Sequence, residues 1–273
     1  MKILLTGAFG NIGVSTLHKL LPQGHTVRCF DLKTRANQKT VKKFAGQVEE
    51  VMWGDIRHPN DVKRAVAGQE VVIHLAAVIP PLSDTRPDLA LAVNVGGTEN
   101  LITALQSLPT PAKLIYASSI ALFGRTQDKS PPRTVDNPIQ PTDNYTHHKA
   151  RGEEMVKESG LEWAILRFGA VLRLAILTQI DPLMFEVPLS DRIEFAHTGD
   201  VGLALANAVK SDQIWGRTLL IGGGPECQLY QRDIIAGALE AMGIGMLPEE
   251  AFSSTPYHTD WMDTSESQRL LDY

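Results

Sequence analysis

The sequence is poor in cysteine, in long apolar runs and in net charge. Its 273 residues include two cysteines, Cys29 and Cys227, too few for a disulfide framework or a cysteine-bound metal cluster. No apolar run approaches the roughly twenty residues of a membrane span. A formal net charge of −5 gives no reason to expect a nucleic acid or an anionic membrane as partner. We therefore expect a soluble, cytoplasmic protein that acts on a small molecule.

The strongest pattern lies at the N-terminus. The apolar run from Lys2 to Thr6 leads into the glycine-rich segment 7–13, a helical stretch that ends at Leu21, and a second apolar run that stops at Asp31. Dinucleotide-binding units contain, in this order, a strand, a glycine turn, a helix, a second strand and an acidic residue. The glycine spacing is G-x-x-G-x-x-G.

Each glycine of this segment has a separate structural role. Gly7 lets the chain turn sharply out of the strand, and Gly10 lets backbone N–H groups approach a diphosphate. Gly13 lets the new helix pack close to the sheet. The diphosphate would then lie at a helix N-terminus, where free N–H groups and the helix dipole favour negative charge.

Asp31 lies about twenty residues beyond the glycines, where a carboxylate accepts hydrogen bonds from an adenosine ribose. It would repel a 2′-phosphate, which predicts NAD in preference to NADP. Lys33 and Arg35 follow closely and would offset part of that repulsion.

Predicted strands continue to alternate with helical segments, at 48–53, 71–77, 113–117 and 163–167. Because each parallel crossover needs a covering helix, this alternation predicts an α/β fold with a doubly wound parallel sheet of the Rossmann type. We assign residues 1–170 to a dinucleotide-binding domain, with segments near 198–222 returning to it. Residues 171–197 and 223–273 would form a small substrate-binding part. We also expect one long helix from Pro87 to Ser107 and a helix capped by Asp200.

Tyr145 and Lys149 stand four residues apart at the start of a predicted helix. At that spacing they share one helix face. A lysine ammonium beside a phenol lowers the pKa of the phenol toward neutrality, which a tyrosine needs to act as a general base. Taken alone, the pair is also compatible with an exposed helix surface. The neighbouring His147 and His148 are expected on the surface or in an oligomer contact.

Several motifs in order resemble the extended branch of the short-chain dehydrogenase/reductase superfamily, the NAD-dependent epimerases and dehydratases. They are the fingerprint from Thr6 to Gly13, Asp55-Ile56, His74 to Ala77, Asn94 to Thr98, Ser118 to Gly124, and the pair Tyr145 and Lys149. The resemblance covers residues 1 to about 170.

The resemblance implies roles for these residues. Tyr145 would be the general acid and base, and Lys149 would hold the nicotinamide ribose. Ser119 would bind the reacting oxygen, with Ser118 as its alternative. A homodimer that pairs through the helix of Tyr145 is also implied. The implied cofactor-binding residues are Gly7, Phe9, Gly10, Asn11, Ile12, Gly13, Asp31, Asp55, Ile56, Leu75, Ala76, Ala77, Asn94, Ser118, Tyr145, Lys149 and Phe168.

The chain also departs from the family pattern. Ile120 and Ala121 replace the Asp-Glu pair that dehydratases use for elimination, so sugar dehydration is disfavoured. The asparagine that many nucleotide-sugar epimerases carry after the sixth strand is missing from the segment 167–171. Ser83 is a weak candidate for substrate contact, and Arg173 and Arg192 could grip a phosphate or carboxylate.

Three functions remain open at this stage. The motif set favours an epimerase that acts on a secondary alcohol of a sugar or nucleotide sugar. A net NAD-dependent dehydrogenase of a small hydroxy or sugar-acid substrate is the alternative, and a non-catalytic dinucleotide sensor is the alternative from another class. The segment 261–273 resembles one after which relatives usually continue, so either the substrate part is minimal or a tail is missing.

Overall fold

A parallel β-sheet forms the centre of the fold. A computed structural model describes residues 1–172 and 182–273. Within these ranges the main sheet has seven strands in the order β3-β2-β1-β4-β5-β6-β9, and all its pairings are parallel. The strands are β1 (Lys2–Thr6), β2 (Thr26–Asp31), β3 (Glu50–Trp53), β4 (Val71–His74), β5 (Lys113–Ser119), β6 (Trp163–Phe168) and β9 (Arg217–Ile221). The predicted α/β fold of the Rossmann type is confirmed.

Helices cover both faces of this sheet. The helices are α1 (Asn11–Leu20), α2 (Arg35–Thr40), α3 (Pro59–Val66), α4 (Leu82–Thr85), α5 (Pro87–Leu91), α6 (Gly97–Gln106), α7 (Asn144–Glu158), α8 (Thr198–Ala208), α9 (Gln231–Ala241) and α10 (Ser265–Leu271). Apolar side chains of α1 and α8 pack on one face, and those of α3, α6 and α7 pack on the other. With both faces covered, all four residues of β4 are buried, as a central parallel strand requires.

Helices α1 and α8 approach each other closely because of a glycine. A Cβ atom on Gly202 of α8 would lie 2.6 Å from the carbonyl carbon of Ser15 in α1. The segment that contains α8 and β9 is therefore an integral part of the main layer, packed on α1 and hydrogen-bonded to β6.

A second, smaller sheet has the order β10-β8-β7. Its strands are β7 (Ala170–Leu172), β8 (Arg192–His197) and β10 (Gln228–Tyr230). Strand β8 pairs in parallel with β7 and antiparallel with β10. Among the described residues no helix is both long and apolar enough to cross a membrane.

One local expectation from the sequence is confirmed and another is wrong. The long helix predicted from Pro87 to Ser107 is present, because α5, a π-helical segment, Ala92–Gly96, and α6 follow one another without interruption from Pro87 to Gln106. The cap of α8 is His197, whose side chain accepts a hydrogen bond from the backbone N–H of Gly199. Asp200 lies in the first turn of that helix instead.

Candidate functional site

The order of the sheet reverses between β1 and β4, and ligands of doubly wound sheets bind at such a point. The turn from β1 into α1 lies there. Gly7 has a positive φ of 65°, and a Cβ on it would lie 2.9 Å from the backbone nitrogen of Ala76, just after β4. Gly7 thus allows the turn and also allows the two strand ends to meet.

The N-terminus of α1 is open to an anion. The helix begins at Asn11 without a side-chain cap on Gly10 and without an acidic residue in its first turn. A Cβ on Gly13 would lie 2.3 Å from the carbonyl oxygen of Gly7, so only glycine lets the helix start this close to the turn. The first N–H groups of α1, including those of Asn11 and Ile12, therefore face the turn region without a competing carboxylate.

Asp31 ends β2 beside this turn. Its carboxylate accepts hydrogen bonds from the backbone nitrogen of Phe9 at 2.8 Å, from that of Leu32 at 2.7 Å, and from Nδ2 of Asn37 at 3.0 Å. Burial raises the pKa of Asp31, although these hydrogen bonds oppose the shift. The ring of Phe9 packs on Trp53 with 5.4 Å between centroids. The glycine turn, the N-terminus of α1 and Asp31 together match what a dinucleotide site requires. The N–H groups of the helix N-terminus can bind the diphosphate, and Asp31 can accept hydrogen bonds from the adenosine ribose.

We predict that Gly13→Ala weakens NAD binding and destabilises the fold, because the added methyl group would clash with the Gly7 carbonyl oxygen. Overpacking of this kind costs about 1–3 kcal/mol. Titration calorimetry with NAD and urea unfolding measure the two effects. Gly237→Ala is the control, since a Cβ at this helical position meets nothing within 4 Å; it should add about 0.5–1 kcal/mol of stability. Equal NAD affinity in both variants would contradict the assigned role of Gly13.

A buried hydrogen-bond chain supports the neighbouring strand end. Thr98 donates its hydroxyl hydrogen to the carbonyl oxygen of Asn94 at 2.7 Å, so Nε2 of His74 donates to Thr98 at 3.2 Å. Nδ1 of His74 then accepts from the hydroxyl of Thr6 at 2.8 Å. The Thr6 oxygen in turn accepts from the backbone nitrogens of Leu75 and Ala76, both at 3.2 Å. This chain fixes the partly exposed segment 75–77, where the cofactor is expected.

His74 gives the stability of the protein a specific dependence on pH. Burial lowers its pKa to about 3 from 6.5. As the pH falls below about 6.5, the unfolded chain binds a proton at this residue and the native protein does not, so the free energy of unfolding decreases down to about pH 3. Urea unfolding between pH 7 and pH 4 should show a shallower decrease for His74→Gln, and an unchanged slope for the exposed His147→Gln. Parallel slopes for wild type and His74→Gln would contradict this prediction.

Asn94 and Asp55 have partners within the protein. The Asn94 side chain accepts from the backbone nitrogen of Val78 at 2.7 Å and donates to its carbonyl oxygen at 2.8 Å. It is buried, so its amide holds the loop after β4 and the structure does not direct it toward a ligand. The carboxylate of Asp55 accepts three hydrogen bonds from the Arg57 side chain, which lower the pKa of Asp55. Ile56 is buried and fills the space over Gly97, where a Cβ would lie 2.7 Å from it.

Helix α7 carries the predicted catalytic pair beside the end of β5. Asp143 caps this helix by accepting from the backbone nitrogen of Thr146 at 2.7 Å. Nζ of Lys149 donates to the carbonyl oxygen of Ala117 at 2.6 Å and lies 5.8 Å from the ring centroid of Tyr145. The hydroxyl of Ser119 hydrogen-bonds to Tyr145 and lowers its pKa. The structure therefore places Ser119, Tyr145 and Lys149 close to one another.

The pKa of Tyr145 differs from the expectation. Burial raises it to about 12; the hydrogen bond with Ser119 opposes this shift, and neighbouring Asp143 and Tyr257 add to it. Burial also lowers the pKa of Lys149 to about 8, although Glu153 opposes this shift. In the protein alone, the lysine does not bring the phenol toward neutrality, because burial disfavours the charged form of both groups.

Ser118 does not face this group. Successive residues of a strand point to opposite sides, and the Ser118 hydroxyl donates to Oε1 of Glu153 at 2.7 Å. Glu153 also accepts from Nε and Nη2 of Arg167, both at 2.8 Å, and all three side chains are buried. Burial would raise the pKa of Glu153, but the contacts with Arg167 and Ser118 lower it. Ser118 as an alternative to Ser119 is therefore wrong: its hydroxyl belongs to this buried ion pair.

The remaining candidates lie as follows. Ser83 is fully buried, and its hydroxyl has no hydrogen-bond partner among the described residues. Phe168 is buried at the end of β6, and Arg173 lies outside the described residues. His147 is exposed, but His148 is buried, so the expected surface position of His148 is wrong.

Arg192 does not project freely as a phosphate ligand. Its Nε donates to Oδ1 of Asp260 at 2.7 Å, in an ion pair whose carboxylate is buried. Sequence reasoning missed Asp260, Glu153 and the segment around Tyr257, because their partners are distant along the chain. A carboxylate four residues after Lys149 was the one available signal for Glu153.

A seven-stranded parallel sheet with a glycine turn at its switch point, and a Tyr-Lys helix beside it, defines the short-chain dehydrogenase/reductase type of fold. A family model described as "NAD dependent epimerase/dehydratase family" matches residues 3–173. The chain belongs to this family.

Relatives of known sequence and structure agree with this assignment. The chain is 31% identical over 186 residues to 3 beta-hydroxysteroid dehydrogenase type 7 of Rattus norvegicus, covering 65% of this chain and 54% of the relative. The chain spans about half the length of the curated relatives it matches.

Two solved structures have the same fold. UDP-glucuronic acid 4-epimerase from Bacillus cereus, in complex with UDP-glucuronic acid and NAD, is 24% identical, with a TM-score of 0.81 over 100% of this chain and 93% of the other. UDP-glucose 4-epimerase of Thermus thermophilus, in complex with NAD, is 22% identical, with a TM-score of 0.78 over 98% of this chain and 92% of the other.

Proposed function

We propose that this protein is an NAD-dependent oxidoreductase in which Tyr145 transfers the hydroxyl proton of a secondary alcohol. The observation that supports the proposal best is the grouping of Tyr145, Ser119 and Lys149 beside the end of β5. In the oxidative direction the phenolate of Tyr145 takes the O–H proton, and the carbon loses hydride as its C–O bond becomes a carbonyl. Bound NAD supplies the hydride acceptor.

Each residue of the group has a distinct task in this proposal. The Ser119 hydroxyl hydrogen-bonds the reacting oxygen and orients it toward Tyr145. Lys149 binds the nicotinamide ribose, and its ammonium group favours the phenolate. Because burial raises the pKa of Tyr145 to about 12 in the protein alone, the base would be active only when positive charge from Lys149 and oxidised NAD is gathered beside it.

The first candidate reaction is epimerisation, in which the keto intermediate turns over and receives hydride on its opposite face. The extent of the similarity supports it, since the chain aligns over nearly the whole length of structures of UDP-sugar 4-epimerases. Dehydration is disfavoured because Ile120 and Ala121, which follow Ser119, are buried and cannot transfer protons.

The second candidate is a net dehydrogenase that releases the ketone and NADH. The relative at 31% identity is a 3 beta-hydroxysteroid dehydrogenase, and its similarity supports this outcome. Both candidates share the half-reaction at Tyr145. They differ in whether the ketone remains bound until hydride returns.

Asp31 supports NAD as the cofactor in preference to NADP. Its carboxylate is held by the backbone of Phe9 and by Asn37, whereas Lys33 and Arg35 are exposed. A 2′-phosphate would therefore meet a fixed negative charge. NAD should bind more tightly than NADP, and Asp31→Asn should reduce the difference.

The assembly and location of the protein are further proposals. The family pattern supports a homodimer that pairs through α7, and light scattering tests this assembly. The same pattern supports residues 171–197 and 223–273 as the substrate-binding part. Cys29 and Cys227 are both free thiols, which supports a reducing compartment such as the cytoplasm.

The test of the proposed function is a turnover assay with NAD and a panel of sugars, sugar acids, hydroxysteroids and nucleotide sugars. Absorbance at 340 nm follows NADH, and chromatography follows product isomers. NADH accumulation would establish a dehydrogenase, and isomers without NADH would establish an epimerase. NAD binding without either product across the panel would favour the sensor function over both.

A further inference from the structure

The first turn of α7 is fixed by a reciprocal cap around Tyr145. Oδ1 of Asp143 accepts from the backbone nitrogen of Thr146 at 2.7 Å, and the hydroxyl of Thr146 accepts from the backbone nitrogen of Asp143 at 3.0 Å. Thr146 is buried. Tyr145 lies between these two residues in the sequence, so the position of its backbone depends on the orientation of the Asp143 side chain.

The second oxygen of this carboxylate faces the C-terminal part of the chain. Nδ1 of His258 lies 3.5 Å from Oδ2 of Asp143. The two side chains are 15% and 26% exposed, so most of this contact is shielded from water. Burial lowers the pKa of His258 below 6.5, although Asp143 opposes this shift. The ring is therefore mostly neutral at pH 7, and with its hydrogen on Nδ1 it can donate toward Asp143.

His258 is itself held from both sides along the chain. The preceding residue, Tyr257, donates its backbone N–H to the buried carboxylate of Asp191 at 2.7 Å. The rings of Tyr257 and His258 pack with 3.9 Å between their centroids. Two residues after His258, the buried carboxylate of Asp260 accepts from Nε of Arg192 at 2.7 Å. The imidazole ring therefore reaches Asp143 from a segment that is anchored on both sides.

The position of the first turn matters because Tyr145 and its partner lie on different elements. The phenol of Tyr145 is on α7, and the hydroxyl of Ser119, to which it is hydrogen-bonded, is at the end of β5. A shift of the first turn of α7 relative to β5 would therefore change the geometry of this hydrogen bond. A misplacement of a catalytic group by about 1 Å can cost about 10²-fold in rate.

From these contacts we propose that His258 is a positioning residue, which holds the Asp143 carboxylate in its capping orientation and thereby sets the position of the Tyr145 phenol. This inference rests on the proposed function, because it concerns the acid and base of the same site. A carboxylate that is bonded through one oxygen can still turn about its side-chain torsions. A second contact through the other oxygen restricts that turning.

Two variants of nearly the same shape separate the contact with Asp143 from the packing of the ring. Asparagine places an amide N–H group as many bonds from the backbone as Nδ1 of histidine, whereas leucine places a methyl group there. Both variants lose the ring that packs on Tyr257. His258→Asn should therefore keep the contact with Asp143 and His258→Leu should lose it, so a difference between them reports this contact alone.

The first test is independent of turnover. Hydrogen exchange, followed by mass spectrometry on the protein without substrate, measures how firmly the first turn of α7 is held. Amides of residues 144–148 should exchange about 10-fold faster in His258→Leu than in the wild type or in His258→Asn. Amides of residues 152–158, at the other end of α7, should be the same in all three proteins.

Two results of the exchange experiment would overturn the proposal. One is equal exchange of residues 144–148 in His258→Leu and His258→Asn, which would show that the contact with Asp143 does not hold the turn. The other is faster exchange along all of α7, or failure of His258→Leu to fold, which would give His258 a general structural role.

The second test measures kcat and NAD affinity on a substrate that the wild type turns over. His258→Leu should lower kcat about 10-fold, and His258→Asn should stay within about 3-fold of the wild type. The dissociation constant for NAD should be the same in all three proteins. Equal kcat values for the two variants would overturn the proposal. Failure of every substrate with the wild type would count against the proposed function alone, and the exchange experiment would still decide whether His258 holds Asp143.

Discussion

Tyr145→Phe is expected to lower kcat by about 10²–10⁴-fold and to leave the affinity for NAD almost unchanged. The phenylalanine ring fills the same space but has no hydroxyl to exchange a proton with the substrate. Lys149 and Ala117 keep their hydrogen bond, and the glycine turn that is expected to hold the diphosphate is remote from the change. The loss should therefore appear in kcat and not in cofactor binding.

Steady-state kinetics on the substrate found in the panel, with calorimetric NAD binding, measure these two quantities. Tyr230→Phe is the control, because Tyr230 is exposed and lies on β10 in the smaller sheet; its kcat should match that of the wild type. If Tyr145→Phe retained wild-type turnover, Tyr145 could not be the acid and base.

Arg167→Met is expected to lower the free energy of unfolding by about 3–5 kcal/mol. Arg167 and Glu153 form a buried pair at 2.8 Å, with side chains 4% and 2% exposed. Removal of the arginine leaves the Glu153 carboxylate buried with Ser118 and the half-exposed Lys157 as its remaining partners. Such a carboxylate must either stay charged at a high cost or take up a proton.

Urea unfolding at pH 7 measures this loss. The double variant Arg167→Met/Glu153→Leu should recover most of it, because replacing both charges by apolar groups of similar volume is often neutral. Arg217→Met is the matched control: its pair with Glu266 is about half exposed and should contribute no more than about 1 kcal/mol. Equal losses of unfolding free energy for Arg167→Met and Arg217→Met would contradict the prediction that a buried ion pair contributes more to stability than an exposed one.

Local patterns were sufficient to predict the main sheet. Strands β4 and β5 contain the apolar runs 71–73 and 114–117, as expected where helices cover both faces. The π-helical segment at 92–96, within the predicted helix, was not predictable in the same way. Its Asn94 amide binds the backbone of Val78, a contact between segments that are separate along the chain.

In the candidate site, too, features that lie within one element follow from the sequence, and features that depend on distant contacts do not. The Tyr145 and Lys149 pair and the glycine turn follow from spacing along one element, and the structure brings Tyr145, Ser119 and Lys149 together. The raised pKa of Tyr145 depends on burial, which spacing does not give. Arg192 looked like a ligand for phosphate because its partner, Asp260, lies 68 residues away in the sequence.

The contacts of α8 and β9 with the main sheet show that the end of the family match is not the end of the packed layer. The family model matches residues 3–173, but β9, which lies beyond them, pairs with β6 from Ala164 to Phe168, and Gly202 of α8 packs directly on the backbone of α1. A fragment cut at the end of the family match would expose the N–H and C=O groups along one edge of β6, as well as the apolar face of α1. The segment that the family model matches is therefore smaller than the packed layer: the dinucleotide-binding half needs α8 and β9 from later in the sequence to cover α1 and the edge of β6.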